Sequence, residues 1–310
     1  MRTSNIKICL ARQARTTKLK DPHLSQRGLC LHQYSFFFIL SFTFLLLTIP
    51  VHGQGSAVPL IKRGQFRIGL GADYIKTLDL IYSPQMYKSV RTRVQLGYSH
   101  KSGNGIFSSD LHVFLGALKP DSGSGVDIYS KETDIHGVET IERKELELSQ
   151  IGLNLQLGYL HEIKQLRNSF KSFYLGGSLE ENLTYTPGFI SIGVINYSSL
   201  NAKARFDYFL KNGKPVIFEL AVPVVSMVTR LPYHQSPGAP GKSSLAAFFT
   251  GNNKVETFNH FQNARIAIKY PLLVKKRIAL NITYEASWMH YYKPKHLTQA
   301  GNQLSLGLTF

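Results

Sequence analysis

The chain has 310 residues, 43% of them hydrophobic and 18% charged, a composition open to an ordinary globular protein. Its formal charge is +17, and its only cysteines, Cys9 and Cys30, fall in the first thirty residues. Residues 1 to 34 hold Arg2, Lys7, Arg12, Arg15, Lys18, Lys20 and Arg27 against one acid, Asp21, and lead into the apolar run Phe36 to Pro50. That run is shorter than the ~20 residues a membrane helix needs and is followed by Val51-His52-Gly53, which suits a signal peptidase. The pattern predicts a secretory signal peptide cleaved near Gly53. An Arg-rich, acid-poor organelle presequence is the rival, and the concentrated Phe/Leu core argues against it. The long leader also points to an over-called start. Cleavage removes both cysteines, so disulfides, thiolate metal sites and cysteine nucleophiles are excluded. It also lowers the net charge to +11, which fits anionic lipid or lipopolysaccharide better than nucleic acid, for which no binding motif is present.

After Gln54 no stretch of ~18 apolar residues occurs. A short segment, 54–63, is followed by ten segments from 64 to 310 that alternate apolar and polar residues with period two. The first sets Phe66, Ile68, Leu70, Ala72 and Tyr74 against Arg67 and Asp73. The second sets Val90, Val94, Leu96 and Tyr98 against Arg91, Arg93 and Gln95. In the third, Phe107, Leu111, Val113, Leu115 and Ala117 oppose Asp110 and His112. The fourth runs Ile151, Leu153, Leu155, Leu157 and Tyr159 against Asn154 and Gln156. The fifth has Phe173, Leu175, Leu179, Leu183 and Tyr185 against Glu180 and Asn182, and Glu181 on its apolar side predicts a bulge or an early end.

The sixth opposes Leu200, Ala202, Ala204, Phe206 and Tyr208 to Lys203, Arg205 and Asp207. The seventh, Val216 to Val224, carries Glu219 and Pro223 on the other side, and Pro223 cannot donate to a ladder, so a bulge is expected there. The eighth uses Ala264, Ile266, Ile268 and Tyr270 against Arg265 and Lys269. The ninth pairs Ile278, Leu280, Ile282, Tyr284, Ala286 and Trp288 with Glu285 opposite. The tenth, Leu304-Ser305-Leu306-Gly307-Leu308-Thr309-Phe310, ends the chain on an aromatic carboxyl terminus.

That terminal pattern resembles the closing strand of the small outer-membrane β-barrel proteins of Gram-negative bacteria. The resemblance implies recognition of the last strand by the barrel assembly machinery, with Phe310 in the periplasm. The fold expected is all-β: a transmembrane antiparallel up-and-down barrel of about ten strands, preceded by a cleaved signal peptide. In hydrocarbon every backbone N–H and C=O needs an internal partner, which helices and closed barrels supply. Connections near 103, 165, 212 and 273 are short, while 77–87, 119–144, 187–199 and 230–257 are longer and would lie outside. A periplasmic aromatic belt follows from Phe66, Tyr98, Phe107, Tyr159, Phe173, Tyr208, Phe218, Tyr270 and Phe310. A soluble sandwich alternates as well but explains neither the belt nor the terminal Phe.

With the polar faces inward, the lumen holds Arg67, Arg91, Arg93, Lys203, Arg205, Arg265 and Lys269 against Asp73, Asp110, Glu180, Asp207, Glu219 and Glu285. Ten strands leave little more than room for side chains, so this near-balance predicts pairing across a largely filled bore. The alternative is a narrow passive pore for small solutes. His100 and Ser102 have the His-x-Ser spacing of the outer-membrane phospholipase and lipid A deacylase barrels, making them candidates for a lipid hydrolase. Gly103 breaks the motif, however, and the topology puts them at the periplasmic end. Asp134 and His136 match the Asp-x-His spacing of omptin proteases, without the paired Asp residues of that family. No cofactor or metal site is indicated. The function expected is a non-enzymatic surface-binding or envelope-structural role, with specificity in the external loops.

Overall fold

The computed structural model describes residues 64–310 apart from 82, 124–126, 134–136, 138, 146–147, 169, 188–191, 212, 231–252 and 276–277. The expected leader, its cleavage site near Gly53, Asp134 and His136 lie outside the described residues. Alternating apolar and polar residues give a strand two chemically different faces, and the chain turns that pattern into thirteen strands. They are β1 (Gly64–Asp79), β2 (Met86–Ser102), β3 (Gly105–Pro120), β4 (Asp127–Thr133), β5 (Glu139–Glu145), β6 (Leu148–Glu162) and β7 (Lys171–Pro187). There follow β8 (Ile192–Phe209), β9 (Pro215–Arg230), β10 (Asn253–Thr257), β11 (Phe261–Val274), β12 (Ala279–Tyr291) and β13 (Leu297–Thr309).

Ten of these form a closed antiparallel barrel in the order β1-β2-β3-β6-β7-β8-β9-β11-β12-β13. Closure comes from β13 pairing back on β1, with Ile68 opposite Leu308 and Leu70 opposite Leu306. Beyond the last pair, Phe66 and Phe310 exchange both backbone hydrogen bonds, at 2.9 and 3.0 Å. Both ends of the barrel wall therefore lie at one rim. At that rim β2 turns into β3 through Gly103-Asn104. Gly103 has φ +56°, as the first central residue of a type II′ turn requires.

The expected segments are the central parts of longer strands. Residues 77–87 and 187–199, read as external loops, are partly ladder: β1 and β2 stay paired up to Leu78 and Met86, and β7 and β8 up to Pro187 and Ile192. Once two strands are in register, continuing the ladder satisfies backbone groups that a loop would leave to water. The 119–144 connection contains a hairpin, β4 with β5, and β10 pairs with the outer part of β9.

The bulge expected near Pro223 is present. Leu200 faces Val225 while Asn201 faces Pro223, so Val224 is the extra residue. It marks the level at which β9 leaves β11, its partner up to Ala221, for β10, its partner from Val225 onward. The irregularity expected at Glu181 is absent: β7 pairs without a break through Leu155 on one side and Ser198 on the other. The Ser198 hydroxyl donates to the Glu181 carboxylate, so the acid stays on the apolar face with a partner of its own.

The barrel is inside out relative to a soluble protein. Leu70, Val90, Leu115 and Leu200 are each more than half exposed, whereas Asp73, Arg91, Glu180, Asn201 and Asp207 are buried. The outward apolar residues continue from strand to strand in register, for example Ile68, Leu96 and Leu111. A soluble monomer rarely exposes a contiguous apolar surface beyond a few hundred Å². Among the described residues no helix is long and apolar enough to cross a membrane; the strands supply the apolar surface instead.

Candidate functional site

Inward residues of the ten barrel strands build the interior in layers. The middle layer is ionic. Asp73 on β1 accepts from Arg91 at 3.0 Å and from Arg93 at 2.7 Å, and the same two guanidiniums reach Gln150 at 3.1 Å and His112 at 2.9 Å. Glu180 on β7 is a second hub: Asn154 donates at 2.7 Å, Asn201 at 2.9 Å and Tyr197 at 3.3 Å, and Arg265 donates to it from across the bore. Nearer the terminal rim Arg67 donates to Asp110, Arg205 grips Asp207 at 2.6 and 2.9 Å, and Lys269 reaches Glu219 at 3.0 Å. Lys203 and Glu285 complete the set without a direct ion pair among the described residues.

Apolar packing lies on either side of this layer. Toward the far rim, Tyr197, Val228, Phe261, Met289, Tyr291 and Leu297 form a buried cluster, with Phe261 5.1 Å from Tyr197 and 5.8 Å from Tyr291 between ring centroids. Toward the terminal rim, Ile106, Leu160 and Tyr174 form a smaller one, and Lys101 donates to the Tyr174 hydroxyl at 3.2 Å. Phe114 projects into the ionic layer itself, its ring 4.1 Å from the Arg91 guanidinium carbon. Space for that ring exists because its neighbour on β6 is Gly152, where a Cβ would lie 2.0 Å from Phe114 Cζ. A cavity of about 70 Å³ is left between Arg93, Glu180, Tyr197, Arg265 and Glu285. That is room for a few waters, roughly two to five.

A polar clasp closes the far rim. Arg230 at the end of β9 pairs with Asp79 of β1 and donates to the carbonyls of Lys293 and Lys295, and Glu256 accepts from Lys293 at 2.9 Å. Sequence periodicity gave no hint of this clasp or of the larger apolar cluster, since both lie beyond the regularly alternating segments. Outside the barrel, the terminal rim carries the anticipated rings. Phe66 lies 4.9 Å from Tyr98 and 6.3 Å from Phe310, and Phe206 lies 6.4 Å from Tyr208 and 6.2 Å from Phe218. Phe107 and Tyr159 face each other across β3 and β6, with Phe173 and Tyr270 at the matching ends of β7 and β11.

His100 and Ser102 share the outward face of β2 at its last turn toward the terminal rim. Neither side chain makes a hydrogen bond among the described residues. No group of three or more His, Cys, Asp or Glu residues able to hold a metal occurs among the described residues.

No protein-family model matches the chain, and no curated protein matches it. Among solved structures it is similar to the outer-membrane protease OmpT from Escherichia coli, with a TM-score of 0.50 at 9% identity over 83% of this chain and 98% of that one. Further similarities are to the translocator domain of autotransporter NalP from Neisseria meningitidis and to Ail of Yersinia pestis. The first has 9% identity over 92% and 97% of the two chains with a TM-score of 0.38, the second 10% over 80% and 100% with 0.28. At such identity the OmpT likeness is one of fold: this chain has the architecture of the small outer-membrane β-barrel proteins.

Proposed function

We propose that this protein is an integral barrel of the Gram-negative outer membrane, exported by its leader, whose filled interior is a rigid scaffold for the connections at the far rim. Those connections then serve surface binding or envelope structure without enzymatic chemistry. The observation that carries this reading is the stacking of ion pairs between two apolar clusters. A conduit keeps its charges hydrated and separable, whereas here the carboxylates at positions 73, 180 and 219 are each already held by cations from neighbouring or facing strands. An ion crossing this interior would have to displace paired charges and then pass Phe261 and Tyr291, both almost fully buried. The fold supports insertion in a bilayer through its continuous apolar exterior, and the exchange of hydrogen bonds between Phe66 and Phe310 fits a last strand read by assembly machinery.

Planar-bilayer recording of the refolded protein tests it. The expected trace is flat, without steady single-channel steps. Regular conductance steps would overturn the scaffold reading in favour of a narrow pore. Release of fatty acid from phospholipid, abolished by Ser102→Ala, would overturn it in favour of a hydrolase.

A further inference from the structure

Three lysines stand side by side on the outside of the barrel, one step beyond the apolar band at the far rim. Lys76 faces Lys88 across β1 and β2, and Lys88 faces Lys119 across β2 and β3. One step toward the band, Tyr74, Val90 and Ala117 occupy the same register. Side chains directly opposed on one face of a sheet have Cβ atoms ~4.5–5.5 Å apart, and like charges so placed work against the pairing. Among the described residues a single acid answers them. Asp121, just past the end of β3, takes the Lys76 ammonium at 3.1 Å on one oxygen and the Lys88 ammonium at 3.5 Å on the other. The Lys76 hydrogen bond holds the Asp121 carboxyl below the ordinary carboxylate range. Lys119 is exposed and has no ion pair among the described residues. Among the described residues, three cations against one anion leave two charges uncompensated at the boundary between apolar and polar surface.

That surplus matches a phosphate monoester, which carries about 1.5 to 2 negative charges near neutrality. Its place in the fold selects the carrier. Directly beneath the lysines the barrel offers Val90, Leu115 and Ala72, an apolar surface suited to acyl chains, and Tyr74 at the junction has both an apolar ring and a hydroxyl. We propose that Lys76, Lys88 and Lys119 bind the phosphate of an anionic lipid whose acyl chains lie against β1, β2 and β3. The site rests on the reading of the exterior as membrane-spanning.

The test uses the refolded full chain in detergent micelles, with bound lipid counted by native mass spectrometry. The probes are dioleoyl phosphatidic acid, dioleoyl phosphatidylcholine and inorganic phosphate. Phosphatidic acid is expected to bind more tightly than phosphatidylcholine. A basic residue near a lipid surface is worth a factor of about five, so Lys88→Gln should weaken phosphatidic acid about fivefold and the triple glutamine variant by more than tenfold. Lys171→Gln, at the terminal-rim end of β7, should change nothing. Heat-modifiable migration on gels verifies that each variant is folded. A folded triple variant that binds phosphatidic acid like the wild type overturns the site, as does equal binding of the two lipids. Inorganic phosphate competing as strongly as phosphatidic acid overturns the lipid assignment. Failure of the wild type to insert into phospholipid vesicles would instead overturn the membrane reading itself.

Discussion

Asp73 shows how much one inward side chain decides. Its carboxylate is the shared acceptor of Arg91 and Arg93, and all three are largely buried. Changing Asp73 to Ala leaves two guanidiniums side by side without a counter-charge, and loss of one partner of a buried pair typically costs ~3–5 kcal/mol. The urea midpoint of Asp73→Ala, followed by the fluorescence of Trp288, the single tryptophan, should fall accordingly; an unchanged midpoint would mean that the pairing adds nothing. Glu181 is the opposite case. It lies among Leu179, Leu183 and Leu155 on the outer face, and its carboxylate accepts from the Ser198 hydroxyl. A lipid-facing acid costs less than the ~2–4 kcal/mol of a lipid-facing base but is still unfavourable, so Glu181→Leu should raise stability by about 1 kcal/mol in phospholipid vesicles. A lower midpoint would indicate that the Ser198 contact outweighs the exposure. The sequence marked Glu181 as the residue out of pattern. What it could not supply was the hydroxyl on the next strand that lets the ladder run through.

Strand fit is set by paired irregularities of this sort. Phe114 on β3 occupies the space left by Gly152 on β6, so adding a methyl group at that glycine forces the ring or the strands apart. Gly152→Ala should cost about 1–3 kcal/mol, the usual range for an overfilled interior, and Phe114→Leu in the same chain should recover most of it. Thermal melts of the single and double variants decide the matter, since purely additive losses would show that the two positions do not communicate. Neither partner could be identified from periodicity alone. Phe114 sits at a polar-face position between His112 and Gly116, and inside the barrel its ring meets Arg91, a residue of another strand. The alternating stretches were readable because lipid imposes one simple rule on each strand separately. Beyond the band that rule lapses, and the inward positions of β9, β11 and β12 become Val228, Phe261, Met289 and Tyr291, packed as in any soluble core. Pro223 was readable for a different reason: a residue without an N–H limits its own ladder whatever surrounds it, and the bulge at Val224 stands beside it.

At the scale of the whole molecule, the first and last barrel strands are neighbours, and their final pair is Phe66 with Phe310. Deleting Phe310 removes two backbone hydrogen bonds and a ring that lies 6.3 Å from Phe66. The expected outcome in cells is protein that accumulates in the periplasm, unfolded and protease-sensitive; heat-modifiable barrel in the outer membrane would show that the terminal ring is dispensable. The seam has a further consequence for the order in which the structure forms. Every other junction joins strands close in the chain, whereas β1 must wait for β13, the most distant partner available. Contacts of such long separation form late and slowly. Until they do, both strands present open edges that can pair with any other extended chain. The interval before the last strand arrives is therefore when the protein is most exposed to misassembly, and a chain shortened at its carboxyl terminus would prolong that interval indefinitely.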